Sequence, residues 1–582
     1  MKHFFSLMRG WPTLFILLAL AGQAARAQAP AWQSAIAPTQ GAGNYSTVYG
    51  TAAAANGDVY LTGIFLGTVT FGSTALTSSP GFADVFVAKW SPAANRFVWA
   101  VRAGGPGIDY ATGVAVAGSS VYIVGSFNGA TASFGGTTLT NPNPNASRSP
   151  STDAYVAKLT DMGSSGAFAW ALQAGGIAAD VANAVAVNGS SVYVAGWFES
   201  HPATFGTLSL NNTSQNSTNA YVAKVNDAGA TAGFVWAQVM GGLIGPDLAA
   251  GLAVRGAAVY VAGSFGSASA AFGSLALANA GGATGTTDAF VAKLVDAGAG
   301  STFAWAQRAG GSANDAAGSL ALNGPDLYVA GDFEGANATF GPMVLASNGG
   351  TDWFVARLTD GASSGWAWAQ RGGGAGTEGV RALAAAGTAV YVGGFFQGTY
   401  TSIGSATLVN SGSSNTADLF VARFTDVGTF AWAQHAGGNG DDAAFALTAG
   451  GTNLYVAGSS TPPAAFGGFS VAAPAGMATG FLASLTDPTL TATTAAKGTL
   501  SFSLAPNPAR TATTVQLPAV PGAPTATLTL TDALGRTLRT ETVALPAGGL
   551  RHELRLSGLA PGLYAVQVRA GSLRGTQRLE VE

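Results

Sequence analysis

Six acidic residues recur at one spacing. Asp109, Asp180, Asp247, Asp315, Glu378 and Asp442 each lie thirteen residues before a tyrosine, and Thr47 stands at that distance in the earliest copy. Two chemistries fit the pattern. A ring of carboxylates on one face could hold Ca²⁺ or a sugar. Alternatively, each carboxylate accepts backbone N–H bonds and fixes a connection between structural units. Near-identical placement favours the second, because one ligand meets one set of side chains and a site ordinarily breaks symmetry. Calcium loops gather several acids around a glycine. Only Asn439-Gly440-Asp441-Asp442 approaches that, without the downstream Glu.

The other chemical residues are sparse. Trp99, Trp170, Trp236, Trp305, Trp368 and Trp432 recur in step with the acids. They could line a glycan groove, but on an outer strand they are expected to pack between sheets. The four histidines, His3, His201, His435 and His552, fall in different segments, which argues against a His-based metal site or triad. Asp332 and Glu334 form a local acidic pair that reads as solvated. Cysteine is absent, which removes thiolate catalysis, Cys-based zinc sites and disulfides. The glycines have no strand-to-helix context for phosphate binding. No catalytic, cofactor-binding or metal-ligating residue is assigned, no cofactor is expected, and the chain reads as a non-enzyme.

The elements that carry these residues repeat. Tyr60/Gly63, Tyr122/Gly125, Tyr193/Gly196, Tyr260/Gly263, Tyr328/Gly331, Tyr391/Gly394 and Tyr455/Gly458 mark seven copies of one unit, with tyrosines 62 to 71 residues apart. In the second copy, Gly113 to Val116, Ser120 to Val124, Ala154 to Leu159 and Phe168 to Ala171 are short β-rich runs separated by turn residues. No long 3.6-residue stripe or helix cap appears. Each copy reads as a four-stranded antiparallel meander. Asn56, Gly118, Gly189, Gly256, Gly324, Gly387 and Gly451, four before each Tyr, suit a tight hairpin. The Gly three after each Tyr would admit a bend or a close backbone approach. Extra length falls between the second and third strands, around pairs such as Phe71-Gly72 and Phe205-Gly206.

The seventh copy lacks a fourth strand after Leu485, while Ala31-Trp32-Gln33, ahead of the first copy, matches Ala431-Trp432-Ala433-Gln434. An N-terminal strand that completes the last unit closes a circle and removes an exposed edge. The expected fold is all-β: a seven-bladed β-propeller of four-stranded antiparallel blades over 28–486, closed by its N-terminal strand, with Trp32 seated beside Phe481. Charge argues against a nucleic-acid partner. Charged residues are only 9% of the chain, and residues 28–499 carry fourteen basic against twenty-three acidic residues.

The chain ends give an address. Lys2, His3 and Arg9 precede an apolar Leu14–Ala21 stretch and Ala25-Arg26-Ala27, the order of a secretory signal over 1–27 cut before Gln28. That stretch is too short for a membrane anchor, and no other segment reads as a spanning helix. A Thr/Ala-rich linker over 487–499 leads to 500–582, whose alternating strands predict a small Ig-like β-sandwich.

Two resemblances follow from quoted residues. Gly437-Gly438-Asn439-Gly440-Asp441-Asp442-Ala443-Ala444 with Leu454-Tyr455-Val456-Ala457-Gly458 resembles the bacterial SBBP β-propeller repeat over about 31–486. That resemblance implies a propeller and no defined activity, and the Phe-Gly segments depart from the family's pattern. Leu504-Ala505-Pro506-Asn507-Pro508-Ala509, Asp532-Ala533-Leu534-Gly535-Arg536, Leu559-Ala560-Pro561-Gly562-Leu563-Tyr564 and the terminal Arg578-Leu579-Glu580-Val581 are similar to the C-terminal sorting domain of the type IX secretion system of Bacteroidota. The implied partner is that secretion machinery, and the implied location is secreted or attached at the outer-membrane surface. The functional expectation is a non-catalytic binding, interaction or adhesion module with an extracellular protein or glycan ligand. The alternative is an extracellular carbohydrate-active hydrolase or lyase on the same scaffold, by analogy alone.

Overall fold

The computed structural model describes residues 28–143, 151–212, 217–282, 285–361, 364–472, 477–490, 500, 502–518, 520, 525–532, 536–546, 548–570 and 573–582. The expected export segment, residues 491–499 of the linker, and the centres of the loops after Asn141 and Asn211 lie outside these.

Units 1 to 6 each hold four antiparallel strands in sequence order, and unit 7 takes its fourth from the N-terminal segment. In unit 2 the strands are Asp109–Ala117, Ser120–Phe127, Asp153–Asp161 and Gly166–Gly175. The first strands of units 1 to 7 are Tyr45–Ala53, Asp109–Ala117, Asp180–Asn188, Asp247–Arg255, Asp315–Asn323, Glu378–Ala386 and Asp442–Gly450. Each lies against the first strand of the next unit, and the seventh lies against the first. Second and third strands are covered on both faces, so runs such as Val121-Tyr122-Ile123-Val124 are buried throughout and show no alternation. The cores lie between sheets: Tyr60, Val85 and Trp99 of unit 1 share one with Val121, Ile123, Tyr155 and Leu159 of unit 2.

The Tyr-x-x-Gly signature has a steric cause. A Cβ on Gly125 would sit 1.9 Å from the Tyr110 carbonyl oxygen, and one on Gly63, Gly196, Gly394 or Gly458 would sit 1.9 Å from the equivalent carbonyl. The first strand bulges there, so two residues oppose one. Six of the hairpin glycines take φ between 58° and 63°, as expected. Unit 1 differs: Gly57, not Asn56, has the positive φ of 91°, and Asn56 instead accepts the Asp58 N–H. That hairpin is one residue longer, which shifts the count. Ser46, not Thr47, pairs with Phe65 as Asp109 pairs with Phe127.

The four-strand meander underestimates the unit. The segment after the second strand forms a further short hairpin, such as Ala203–Phe205 with Leu208–Leu210, turning at Gly206 with φ 61°. That hairpin extends the sheet of the preceding unit, Ala174 pairing with Phe205 and Gly175 with Thr204. Phe205 then packs between Tyr221 and Phe234.

Strand Trp32–Ile36 completes unit 7. It pairs antiparallel with Thr479–Thr486, Trp32 opposite Leu485 and Ile36 opposite Leu482. Trp32 is buried and stacks edge-on against Phe466 at 5.1 Å; Phe466 in turn packs on Phe481 at 5.0 Å. Gln40 Nε2 donates to Ala478 O and Gly480 N donates to Ser46 Oγ, fastening unit 7 to unit 1. The chain stays on this body through Leu490, which is buried beside Trp432 and Tyr391.

The C-terminal part has a three-stranded sheet (Ser503–Ala505, Ala512–Leu517, Leu550–Arg555) and a four-stranded one (Thr537–Ala544, Thr525–Asp532, Gly562–Ala570, Leu573–Val581). Val515, Leu517, Leu528, Leu530, Val566 and Val568 share one core between them.

Candidate functional site

The recurrent acids are buried, and each accepts a backbone N–H four or five residues upstream. Gly105 N donates to Asp109 at 2.7 Å, Gly176 to Asp180 at 2.9 Å, Gly242 to Asp247 at 2.8 Å, Gly311 to Asp315 at 2.7 Å, Gly374 to Glu378 at 2.9 Å and Gly438 to Asp442 at 2.9 Å. This is the connection-fixing role. Sequence reasoning missed the second half of the arrangement. The third strand of the preceding unit opens with another buried acid, and five pairs result: Asp84/Asp109, Asp153/Asp180, Asp288/Asp315, Asp352/Glu378 and Asp418/Asp442. A Cβ on Gly104 would lie 2.6 Å from Asp84 Oδ1 and 2.5 Å from Asp109 Oδ2, so both carboxyls crowd over a glycine at φ 132°. Gly175, Gly310 and Gly437 stand in the same relation to their pairs.

In four of the five pairs, each acid leaves one buried oxygen without a hydrogen-bond partner, as Asp84 Oδ1 and Asp109 Oδ1 do; in the other, Asp153 alone does. Burial pushes Asp109 up to about 8, against the Gly105 N–H, and the Asp84 charge adds to the push. Burial and then the Asp180 charge raise Asp153 to about 8. Burial likewise takes Asp180, Asp315, Glu378 and Asp442 to about 7. The third-strand acid has a polar neighbour three residues after the fourth-strand Trp: Arg102, Gln173, Arg308, Arg371 or His435. Where Asn219 replaces the acid, that position is Val239; where Thr479 does, it is Ala35. The counter-group thus appears only where there is a charge to face.

A second set of aspartates ties neighbouring units. Asp161, at the end of unit 2's third strand, accepts from Tyr60 Oη (2.6 Å), Lys89 Nζ (2.7 Å) and Trp99 Nε1 (3.0 Å), one from each of three unit 1 strands. Asp227 does the same for Tyr122, Lys158 and Trp170, and Asp296 for Tyr193, Lys224 and Trp236. Asp360 holds Tyr260, Lys293 and Trp305. Burial alone would raise the Asp161 carboxyl; the Lys89, Tyr60 and Trp99 bonds outweigh it and hold the group below the usual carboxylate range. The repeated Lys-x-x-Asp spacing in the third strand (Lys89 excepted) was the available signal. The tryptophans are therefore packing residues that also donate, and Trp99, Trp170 and Trp236 are buried.

Symmetry breaks at one position. The bulged residue of each first strand is Tyr49, Thr112, Asn183, Ala250, Gly318, Arg381 or Phe445, in unit order. First strands of all seven units line a central cavity of about 220 Å³, with Asn183, Ala250, Gly318, Arg381 and Phe445 in its wall. Tyr49 packs on Phe445 at 5.4 Å and on Tyr110 at 6.4 Å. Thr112 Oγ1 donates to Ala182 O, and Asn183 Nδ2 to Ala249 O, so both reach into the next unit. The turns leading into the first strands are unequal too. Ile108, Ile177, Leu243 and Ile244 are exposed in units 2 to 4, whereas units 5 to 7 carry Asn314, Thr377 and Asp441 there.

The remaining candidates fall elsewhere. His201 is exposed, His435 lies 4.0 Å from Asp418, and His552 Nε2 lies 2.7 Å from Glu541. Asp332 and Glu334 are engaged rather than merely solvated: Asp332 accepts from Val380 N (2.8 Å) and Arg381 Nη1 (2.6 Å), and Glu334 from Asn314 and Thr351. Asp332 finds its partners in the next unit, and Glu334 finds its own within unit 5. Among the described residues, no group of three or more His, Cys, Asp or Glu is gathered for a metal ion.

In the C-terminal part, Asn507 clamps the last strand, donating to Arg578 O at 2.6 Å and accepting from Glu580 N at 2.9 Å. Asp532 accepts from Arg536 N and Nε, four residues on. Residues 503–582 match the family described as the secretion system C-terminal sorting domain. That tail marks a protein that is secreted or held at the cell surface and that engages a type IX secretion machinery. No curated protein matches the chain. No helix of the described residues is long and apolar enough to cross a membrane.

Proposed function

We propose that the seven sheets are the blades of a β-propeller of SBBP-type repeats, and that the exported protein is a non-catalytic binding module delivered by an Ig-like type IX sorting domain in a member of the Bacteroidota. The pairing of Trp32–Ile36 with Thr479–Thr486, the contact between first and seventh first strands, and a cavity lined by all seven support the propeller. Tyr564 Oη donating to Ala560 O at 2.7 Å, four residues upstream, supports the Ig-like comparison.

One observation carries the binding reading: a scaffold repeated in its strands and inter-sheet cores differs in every unit at the bulged position, and five of these residues line the cavity. Bulges re-aim side chains and gather beside functional sites. A non-catalytic role is supported by the carboxyl pairs, which are at most 2% exposed and so are not placed to flank a substrate bond as glycosidase acids do. A glycan array with parallel measurement of released reducing ends tests this. Binding without release, weakened by Phe445→Ala, is expected; release of product would overturn it in favour of a hydrolase or lyase.

A further inference from the structure

Arg381 is the one charged residue among the seven bulged positions. Its Nη1 is occupied, donating to Asp332 Oδ2 at 2.6 Å and to Val380 O at 3.0 Å. The guanidinium lies over Phe395, 5.1 Å from the ring centroid, so the planar group is held from two sides. Nε and Nη2 have no acceptor among the described residues, and the side chain is 40% exposed. Those two nitrogens form the lateral fork of arginine, whose parallel N–H bonds match the two oxygens of a carboxylate.

The surroundings say what carries that carboxylate. Unit 7 contributes Phe445, which lines the same cavity as Arg381, and unit 1 contributes Tyr49, tilted 43° against Phe445 at 5.4 Å. On the other side, units 4 and 5 place Ala250 and Gly318 at the bulge. A Cβ on Gly318 would meet no atom nearer than Val380 O at 3.8 Å, so the space beside the arginine is open. The cavity wall thus carries the aromatic Phe445, the small residues Ala250 and Gly318, and Arg381 with its lateral edge unpaired. A pyranose offers an apolar face to aromatic rings, and a uronic acid adds a carboxylate to that ring.

We propose that the mouth of the central cavity binds a uronic-acid sugar, with its carboxylate on Arg381 Nε and Nη2 and its ring face against Phe445 and Tyr49. This rests on the binding-module reading and narrows it to a ligand class. Asp332 acts as a positioning residue, because it fixes the guanidinium through Nη1 and leaves the lateral edge free. A neutral sugar would leave that edge without its matching partner. An aromatic carboxylate shares the carboxylate-on-a-ring chemistry but not the hydroxyls.

Isothermal titration of the full exported chain with D-galacturonic acid, its methyl ester, D-galactose and benzoate separates these cases. Galacturonate is expected to bind at least about tenfold more tightly than the other three, as a site built to pair a polar group rejects analogues that lack it. Arg381→Gln and Gly318→Leu should each weaken galacturonate at least about tenfold, one by removing the fork and the other by filling the space. Gly318→Leu touches no hydrogen bond of the fold, so it remains informative if Arg381→Gln melts early. No galacturonate binding, equal binding of galactose or the ester, equal binding of benzoate, or indifference to Gly318→Leu would each overturn the proposal. A neutral glycan bound in a manner sensitive to Phe445→Ala would overturn the uronate assignment while leaving the binding module standing.

Discussion

Raising the pH should loosen this protein from within. The perturbation is deprotonation of the five buried carboxyl pairs. An acid whose folded pKa is raised contributes stability that is complete below its unfolded value near 3.8 and is lost as pH climbs through its folded value. Asp109 and Asp153 sit at about 8, and Asp180, Asp315 and Asp442 at about 7, which sets the window at roughly pH 4 to 8. Within it each such group costs up to about 1.4 kcal/mol per pH unit. The groups facing the first pair are Arg102 and the Ser79 N–H on Asp84 Oδ2, the Gly105 N–H on Asp109, and Tyr155, whose hydroxyl donates to Tyr110 O. None of them supplies a donor to the two orphan oxygens, so a single shared proton is the simplest satisfier. Asp109→Asn replaces that proton with an amide that carries no charge at any pH. Thermal melts at pH 5, 7 and 9, at one scan rate, should show the variant gaining on the parent as pH rises. A difference in Tm that does not change with pH would refute the shared proton. So would a calcium-dependent rise in Tm at pH 8 that EDTA reverses, because the orphan oxygens would then be cation ligands.

Other outcomes follow from the ties and the closure. Asp227→Ala leaves Lys158 buried without its carboxylate partner and should cost about 3–5 kcal/mol, with Asp227→Asn milder, as read from denaturant midpoints. Below about pH 4 the parent should also weaken, because Asp161, Asp227, Asp296 and Asp360 are held below the ordinary range and lose their contribution as pH falls through the folded values. Removing residues 31–34 should lower Tm clearly, and Trp32→Ala alone should cost about 3–5 kcal/mol; an unchanged melt would count against closure by the N-terminal strand. Gly196→Ala should abolish folding, since its Cβ falls 1.9 Å from Val181 O, whereas Gly189→Ala, with φ 62° and open space, should cost only about 1 kcal/mol.

Much of the scaffold was legible because it is written seven times. One Tyr-x-x-Gly could be chance; seven at a near-constant interval require one backbone solution, and the 1.9 Å clash explains why Gly cannot vary. The closing strand was legible for the same reason, since a stray Trp32 made sense only as the missing fourth strand. Interval counting failed where a hairpin gained a residue, which put Thr47 in place of Ser46. The Phe-Gly hairpins were hidden because strands of three or four residues carry too few positions to show alternation. The acid pairs were half visible. Asp109 and Asp84 lie 25 residues apart in the chain and meet only because the third strand of one unit abuts the first strand of the next.

That geometry also separates what repeats from what recognises. Asp161 draws Tyr60, Lys89 and Trp99 from three strands of one unit onto one carboxylate of the next, so a change at any of these residues costs packing between two sheets at once. Such residues are fixed by the fold and carry no information about a ligand. The bulged position is the opposite case. Its residue drops out of the ladder, and five of the seven line the cavity, so Tyr, Thr, Asn, Ala, Gly, Arg and Phe are all tolerated there. A position free to vary in seven otherwise repeating units, and filled on one side by Arg381, Phe445 and Tyr49 but on the other by Ala250 and Gly318, is where a ligand can be specified without disturbing the scaffold.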